Sequence, residues 1–339
     1  MIEQPLLSIV ITSYTNVRIY DIYELLDSIK LQTYSHIETI FVTEQSRELY
    51  DQVQSYAQEK AIPNFNLIFN DGERGASSAR NLGIREAKGE IIAFLDDDVL
   101  PFANWAEEMV KTYTDVSIIG VTGPAFPLWE DKSAATWFPE EFYWLFSCTA
   151  WNDWQQITEV RNIWTMNASF RREAFLAGGY FITAIGPKSG SMSGRKNELS
   201  EDLEISLRIR NATARKIVFN PAVKVQHRIY NERLKMDYIT RWSYWIGLSK
   251  QKLKNNYQKT SIDVLSQEHQ LLKRIFKRLI PNILQTFFTH PVIALRRLKI
   301  TLTVLIFVAF GYYITFFRLL LTGNKQRIQK SNKEFNHVK

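Results

Sequence analysis

Asp96, Asp97 and Asp98 stand in a row between the apolar run Ile91–Leu95 and Val99-Leu100-Pro101. Carboxylates this close repel one another and hold on to protons unless a cation neutralises them. Two of them, joined by the oxygens of a diphosphate, make a hard-oxygen site suited to Mg²⁺ or Mn²⁺. A solvated acidic turn is the plain alternative; the buried strand ahead and the proline behind favour the cation site. A second feature precedes it. Gly75-Ala76-Ser77-Ser78-Ala79-Arg80-Asn81 opens a helix with small residues, so its free amide groups can approach an anion closely. Arg80 lies about one turn in. It either faces a nucleotide or joins a surface ion pair on a helix capped by Ser77.

These residues need elements to hold them. Apolar, β-branched runs occur at Leu6–Ile11, Ile37–Val42, Phe65–Phe69, Ile91–Leu95 and Ser117–Val121. Stretches of helical period separate them, at Ile19–Leu31, Arg47–Lys60, Ser77–Ala87 and Trp105–Tyr113. Continuous apolar strands alternating with amphipathic helices imply an α/β fold, a mostly parallel sheet with helices on both faces. Such sheets bind ligands beyond the carboxyl ends of their strands. Those ends carry Ser13 and Tyr14, Glu44, Asp71 and the three aspartates, which predicts one concave acidic site along that edge.

The 339 residues carry 42 Lys and Arg against 35 Asp and Glu, a net charge of +7, and 45% are hydrophobic. That excludes a disordered chain. The charge is split, because Val223–Lys339 alone holds 22 basic and 5 acidic residues. An acidic front and a basic back imply different partners. Cys148, the only cysteine, excludes an internal disulfide and a cysteine-built zinc site. MIEQP lacks a basic start followed by an apolar run, so the N-terminus is expected in the cytoplasm. Lys273, Arg274, Lys277 and Arg278 share a helical face opposite Leu272, Ile275, Phe276 and Leu279. Such a helix binds a membrane surface or packs, solvated, on a catalytic domain. Ile300–Phe317 is uncharged and, as a helix, about 27 Å long, close to the hydrocarbon thickness of a bilayer. It is expected to insert into the membrane, with a buried soluble helix as the alternative. Basic residues flank both of its ends, so charge sets no orientation, and a shallow or re-entrant insertion would let both flanks stay cytoplasmic. Trp129, Trp137, Trp144, Trp151, Trp154 and Trp164 crowd Pro124–Trp164, most of them for core packing and one or two for an acceptor groove.

LSIVITSYTN, VTEQS and RGASSARNLGIREAKGEIIAFLDDDVLP resemble the inverting family 2 glycosyltransferases of GT-A fold, over about Leu6–Arg228 and more weakly to Lys250. The resemblance implies a GT-A type, Rossmann-like catalytic domain over 1–230. A basic, helical, membrane-proximal region would follow at 231–298, a membrane-inserted helix at 299–322 and a basic tail at 323–339. FLDDD matches the family's Asp-x-Asp element. By resemblance, Ser13, Tyr14, Glu44, Asp71, Arg80, Asp96 and Asp97 bind the nucleotide-sugar and Asp98 binds the metal. Glu44 replaces the Asp usual at the base contact and is one methylene longer. His227, after the last strand, stands where the family often has a metal-binding His; a structural His is the alternative. MNASFRREAFLAGGYF resembles the strand-and-helix step that puts Asn167 and Gly179 near sugar and acceptor. LSEDLEISLRIR resembles the Glu-Asp element, which makes Asp202 the catalytic base beside Glu201. Plain helix capping is the other role for an acid there. Arg241-Trp242 resembles part of the Gln-x-x-Arg-Trp element of processive members, but Tyr238 replaces the Gln. The region resembles instead the non-processive enzymes that modify lipid-linked sugars, most of all archaeal-type dolichyl-phosphate-sugar glucuronosyltransferases.

The expected reaction needs a cation on the leaving diphosphate, a carboxylate to take the acceptor's proton, and both reactants held in line. A single base without a nucleophilic carboxylate fits one displacement with inversion. Pro187–Lys196, small, polar and basic, is either a lid over the diphosphate or a surface loop. Expected partners are a nucleotide-sugar, a polyprenyl- or dolichyl-phosphate-linked acceptor and membrane lipids, at the cell membrane with the catalytic domain on the cytoplasmic side. The alternatives are transfer to a non-lipid glycan such as exopolysaccharide, a nucleotidyltransferase, and an inactive nucleotide-sugar binder. Nucleic acid is not an expected partner, because the basic residues lie beside an apolar span and not on an aromatic platform.

Overall fold

The computed structural model describes residues 4–152, 154–186, 201–256 and 265–336, and only the backbone of Asn256 and 322–336. Its strands are β1 (Leu7–Ser13), β2 (Ile37–Glu44), β3 (Phe65–Asn70), β4 (Ile91–Asp96), β5 (Val99–Pro101), β6 (Ile118–Thr122), β7 (Ala125–Trp129), β8 (Thr158–Glu159), β9 (Asn167–Arg171), β10 (Lys216–Phe219) and β11 (Val225–Ile229). Its α-helices are α1 (Ile19–Lys30), α2 (Arg47–Glu59), α3 (Ala76–Glu86), α4 (Trp105–Thr112), α5 (Ala134–Trp137), α6 (Arg172–Gly178), α7 (Glu201–Thr213), α8 (Met236–Asn256), α9 (Ser266–Arg274), α10 (Ile280–Thr289) and α11 (Pro291–Asn336). They form two compact units, Met1–Ala135 with Glu140–Asn231, and Thr136–Pro139 with Glu232–Lys339.

In the first unit an eight-stranded sheet has the order β3-β2-β1-β4-β9-β6-β10-β8. β3, β2, β1 and β4 are mutually parallel, as are β6 and β10. β9 runs antiparallel between β4 and β6, and β8 antiparallel at the edge. The fold is therefore α/β with a mostly parallel sheet. Both faces are covered, and this is why the strands read as unbroken apolar runs. Ile9 and Ile11 of β1 meet Ile22, Leu25 and Ile29 of α1 and Leu49 and Val53 of α2. Val10, pointing the other way, joins Ile84 of α3, Phe175 of α6 and Ile205 and Ile209 of α7. Each such buried side chain contributes roughly 1.5–3 kcal/mol. Gly83 lets α3 sit close on β1: a Cβ there would lie 2.3 Å from Val10 Cγ1.

A second sheet, β5-β11-β7, pairs β11 antiparallel to β5 and parallel to β7. Its register sets His227 opposite Val99, the neighbour of Asp98. His227 thus lies inside a strand and not after one.

In the second unit a π turn at Ile275–Leu279 joins α9 to α10, and the expected amphipathic face divides there. Ile275 and Leu279 are buried, while Leu272 and Phe276 are exposed. α11 is one helix through both boundaries placed by sequence at 298/299 and 322/323. Its part Pro291–Leu321 is long and apolar enough to cross a membrane, with mean hydropathy 2.1 in its most apolar window.

Candidate active site

Parallel pairing aligns the strand ends. Thr12 pairs with Asp96, Ser13 with Thr43 and Glu44 with Asn70. Ser13 donates its hydroxyl to Asp97 Oδ2 at 2.5 Å. Arg18, the residue before α1, reaches back so that Nη1 is 3.1 Å from Asp97 Oδ1 and 2.9 Å from Asp98 Oδ2. Burial opposes its charge, but the two carboxylates outweigh burial and raise its pKa. Its guanidinium also lies 5.0 Å from the centre of the Tyr230 ring, within cation–π range. Burial, followed by the neighbouring Asp98, pushes the Asp97 carboxyl up to about 6.

Asp98 also turns to the second sheet. His227 Nε2 lies 3.0 Å from Asp98 Oδ1, and His227 Nδ1 lies 3.9 Å from Cys148 Sγ. Burial works against an imidazolium here, yet Asp98 overrides it and His227 rises to about 10. Asp96, Asp98 and His227 offer ligand atoms all within 4.8 Å of one another. Two carboxylates and one imidazole are a donor set for a divalent cation, which would replace the His227 proton as the partner of Asp98.

Arg80 stands on the other side of Asp96, with Nη2 3.0 Å from Asp96 Oδ1 and Nη1 3.8 Å from Glu201 Oε1. Its side chain is 6% exposed, so the ion pair foreseen at the surface is an interior one. Glu44 accepts the Gly75 N–H at 3.0 Å, and burial raises the Glu44 pKa. Gly75 has φ 129°, a conformation that favours glycine at this helix start. Ser77 does not cap α3; it donates to the Ile185 carbonyl at 2.8 Å. Asn81 exchanges two hydrogen bonds with the Phe181 backbone, at 2.8 and 2.9 Å. The small-residue motif therefore holds 181–186, the segment leading towards α7, as well as opening its own helix.

Asp202 sits in the first turn of α7. Its Oδ2 accepts the Thr165 N–H at 3.1 Å, and its Oδ1 is buried without a hydrogen bond. Burial raises the Asp202 pKa against the pull of Arg80. Burial and Asp202 push Glu201 up to about 7. A carboxylate with one free, buried oxygen and a raised pKa has the properties of a proton acceptor.

The remaining expected site residues are placed as follows. Tyr14 is 45% exposed just past β1. Asp71 is exposed after β3 and joins none of the contacts above. Asn167 is fully buried: its Oδ1 accepts Trp105 Nε1–H at 2.8 Å and its Nδ2 donates to the Val223 carbonyl at 2.8 Å. Its amide ties β9 to α4 and to the turn between β10 and β11. Gly179, with φ 77°, ends α6, and Arg208 donates to the carbonyls of the adjoining Gly178 and Tyr180. Arg241 and Trp242 belong to the second unit, where Arg241 pairs with Asp237 at 2.6 Å and Trp242 stacks on Tyr238. Pro187–Lys196 lies outside the described residues. Sequence reasoning missed Arg18, Thr165 and Cys148. Arg18 had a usable signal, a cation in the turn after the first strand. Thr165 acts through its backbone and Cys148 through tertiary proximity, so neither had one.

Residues 8–177 match the profile of glycosyl transferase family 2. Over 329 residues the chain is 29% identical to a glucosyl-dolichyl phosphate glucuronosyltransferase of Haloferax volcanii, covering 96% of this chain and 99% of that one. In fold it is similar to a mannosyltransferase of Pyrobaculum calidifontis solved with GDP-Man and Mn²⁺, with TM-score 0.62 and 17% identity over 92% of this chain and 88% of that one. It is also similar to GalNAc-T7 solved with UDP, GalNAc and Mn²⁺, with TM-score 0.53 and 15% identity over 86% of this chain and 58% of that one.

Proposed function

The chain belongs to glycosyl transferase family 2, and on that premise we propose that it is a membrane-attached, metal-dependent, inverting enzyme. It moves a sugar from a nucleotide-sugar, a UDP-sugar by preference, to a polyprenyl- or dolichyl-phosphate-linked acceptor. The observation that carries this reading is one buried arginine, Arg80, between a metal-capable group and a carboxylate with a free oxygen. The metal-capable group is Asp96, Asp98 and His227; the carboxylate is Asp202.

Asp202 Oδ1 takes the proton of the acceptor hydroxyl as that oxygen attacks the anomeric carbon. The bond from that carbon to the diphosphate oxygen breaks with its electron pair, and the nucleoside diphosphate leaves. Asp96, Asp98 and His227 would hold a Mg²⁺ or Mn²⁺ ion, which supplies neutralisation of the leaving group; the imidazole favours Mn²⁺. Arg80 steers Asp96 and keeps Asp202 ionised enough to accept a proton. Tyr14 is exposed where a base would stack, and Ser13 orients Asp97. The relative named for acting on glucosyl-dolichyl phosphate supports a lipid-linked acceptor. α11 supports attachment to the cell membrane, and the reading puts catalysis on the cytoplasmic side.

The test offers several labelled nucleotide-sugars with Mn²⁺ or Mg²⁺ to the full chain and a membrane lipid extract. Metal-dependent label in the lipid phase is the expected result. Label passing only to soluble glycans would refute the lipid acceptor, and donor binding without any transfer would refute the enzyme.

A further inference from the structure

α11 presents two unlike faces. Leu298, Leu302, Ile306, Phe310, Tyr313 and Phe317 are each 40–58% exposed and recur at steps of three or four residues, so they form one apolar stripe. The opposite face is buried within the second unit through Thr301, Val304, Gly311 and Thr315. Two glycines set that packing. A Cβ on Gly247 of α8 would lie 2.1 Å from the Val308 carbonyl oxygen, and one on Gly311 would lie 2.1 Å from the Tyr244 carbonyl oxygen. The two backbones touch at this crossing, as small residues allow.

The crossing fixes a depth. Val308 and Gly311 stand in the middle of the uncharged run Ile300–Phe317. An α11 standing across a bilayer would carry them, and Gly247 with them, to the hydrocarbon centre. Gly247 is three residues from Lys250, which pairs with Glu268 of α9 at 2.7 Å. On its other side lies Arg241, paired with Asp237. The uncharged part of α8, Trp242–Ser249, is about 12 Å long as a helix, against a hydrocarbon core of about 30 Å. Charges at mid-bilayer are strongly disfavoured, so α8 cannot follow α11 there.

We propose that α11 lies along the membrane surface, its exposed stripe among the acyl chains and its α8 side towards head groups and water. This rests on the membrane attachment proposed above and specifies its geometry. The occupant of the stripe is an anionic bilayer. From Leu272 to Leu321 the chain holds eight Lys and Arg and no Asp or Glu, which complements acidic head groups. Both flanks of α11 then stay on one side of the membrane, consistent with basic residues at both ends.

The test uses the full chain carrying His290→Cys or Asn324→Cys, one at each end of the apolar segment. Sealed inside-out vesicles from the expressing cells are floated and treated with a membrane-impermeant maleimide, before and after detergent. The wild-type chain, whose single Cys148 is buried, sets the blank. Equal labelling of both positions without detergent is the expected result. Labelling of one end only, with the other reacting after detergent alone, means that α11 crosses; this overturns the geometry and leaves attachment standing. Protein absent from the floated vesicles overturns attachment itself, and the geometry with it.

Discussion

Asp202→Asn is the substitution that separates a catalytic base from a structural acid. Asn has the same shape, and its carbonyl oxygen can keep the Thr165 N–H bond made now at 3.1 Å. Its amide nitrogen then takes the place of Oδ1, the buried oxygen without a hydrogen bond. Arg80 retains Asp96 and Glu201, so the fold and the donor site persist. Loss of a positioned general base costs about 10²–10⁴ in rate, or about 2.7–5.4 kcal/mol of transition-state stabilisation. The assay is nucleotide release with the lipid acceptor, beside donor affinity measured by calorimetry with Mn²⁺. The expected result is a fall in kcat of that size at nearly unchanged donor affinity. The pH profile adds a second reading. Burial raises the Asp202 pKa, so wild-type activity climbs with pH through a value above the ordinary aspartate range. The residual activity of the variant should lack that acid limb. A kcat within a few-fold of wild type, with the donor still bound, refutes Asp202 as the base.

Four further outcomes follow. His227→Ala should weaken Mn²⁺ binding, read by the spin resonance of free Mn²⁺, by about tenfold or more, while Asp71→Asn leaves it unchanged. Arg18→Gln removes the cation shared by Asp97 and Asp98 and should lower stability by about 2–4 kcal/mol without metal. Mn²⁺ should restore more of the variant's Tm than it adds to wild type. Glu201 is raised from 4.5 to about 7 by burial and Asp202, so its contribution to stability is complete below pH 4.5 and lost as pH climbs through 7. Glu201→Gln, always neutral, should therefore gain Tm over wild type at pH 8 relative to pH 5. Asn167→Ala strands the Trp105 N–H and the Val223 carbonyl and should cost about 2–4 kcal/mol in denaturant melts, with Mn²⁺ affinity of the folded protein unchanged.

The sheet from β1 to β4 was legible because β1, β2 and β4 are buried on both faces and, with the half-buried edge strand β3, announce themselves as apolar runs. β9 was legible only through its resemblance, because Asn167-Ala168-Ser169-Phe170-Arg171 has no such run. Its polar residues are satisfied from neighbouring elements: Asn167 by Trp105 and Val223, and Ser169 by the Tyr113 hydroxyl at 2.9 Å. β5 was hidden for another reason, and the strand β11 was read as ending before His227. Both are short and their partners are far away in sequence, so the residues taken without the resemblance do not bring His227 to Asp98. The same distance hid Arg18. Its importance comes from the turn of β4 into β5, which points Asp97 back at β1 and leaves Asp96 and Asp98 beside His227.

That alternation explains how an acidic turn this dense folds at all. Three adjacent carboxylates near one another would destabilise the native chain if all faced one way. Here Asp97 is held by Ser13 and Arg18, Asp98 by Arg18 and His227, and Asp96 by Arg80. Every carboxylate has a cationic partner built into the protein before any metal arrives. A divalent ion would then have only one proton, on His227, to displace. Arg80 extends the same network to Glu201 and Asp202, so on the proposed reading charge arriving at the diphosphate end would be felt at the carboxylate assigned to take the acceptor's proton. The small-residue motif of α3 is what makes the link physical. One helix carries Arg80 into the interior and ties down 181–186 through Ser77 and Asn81, and so fixes both in a single frame.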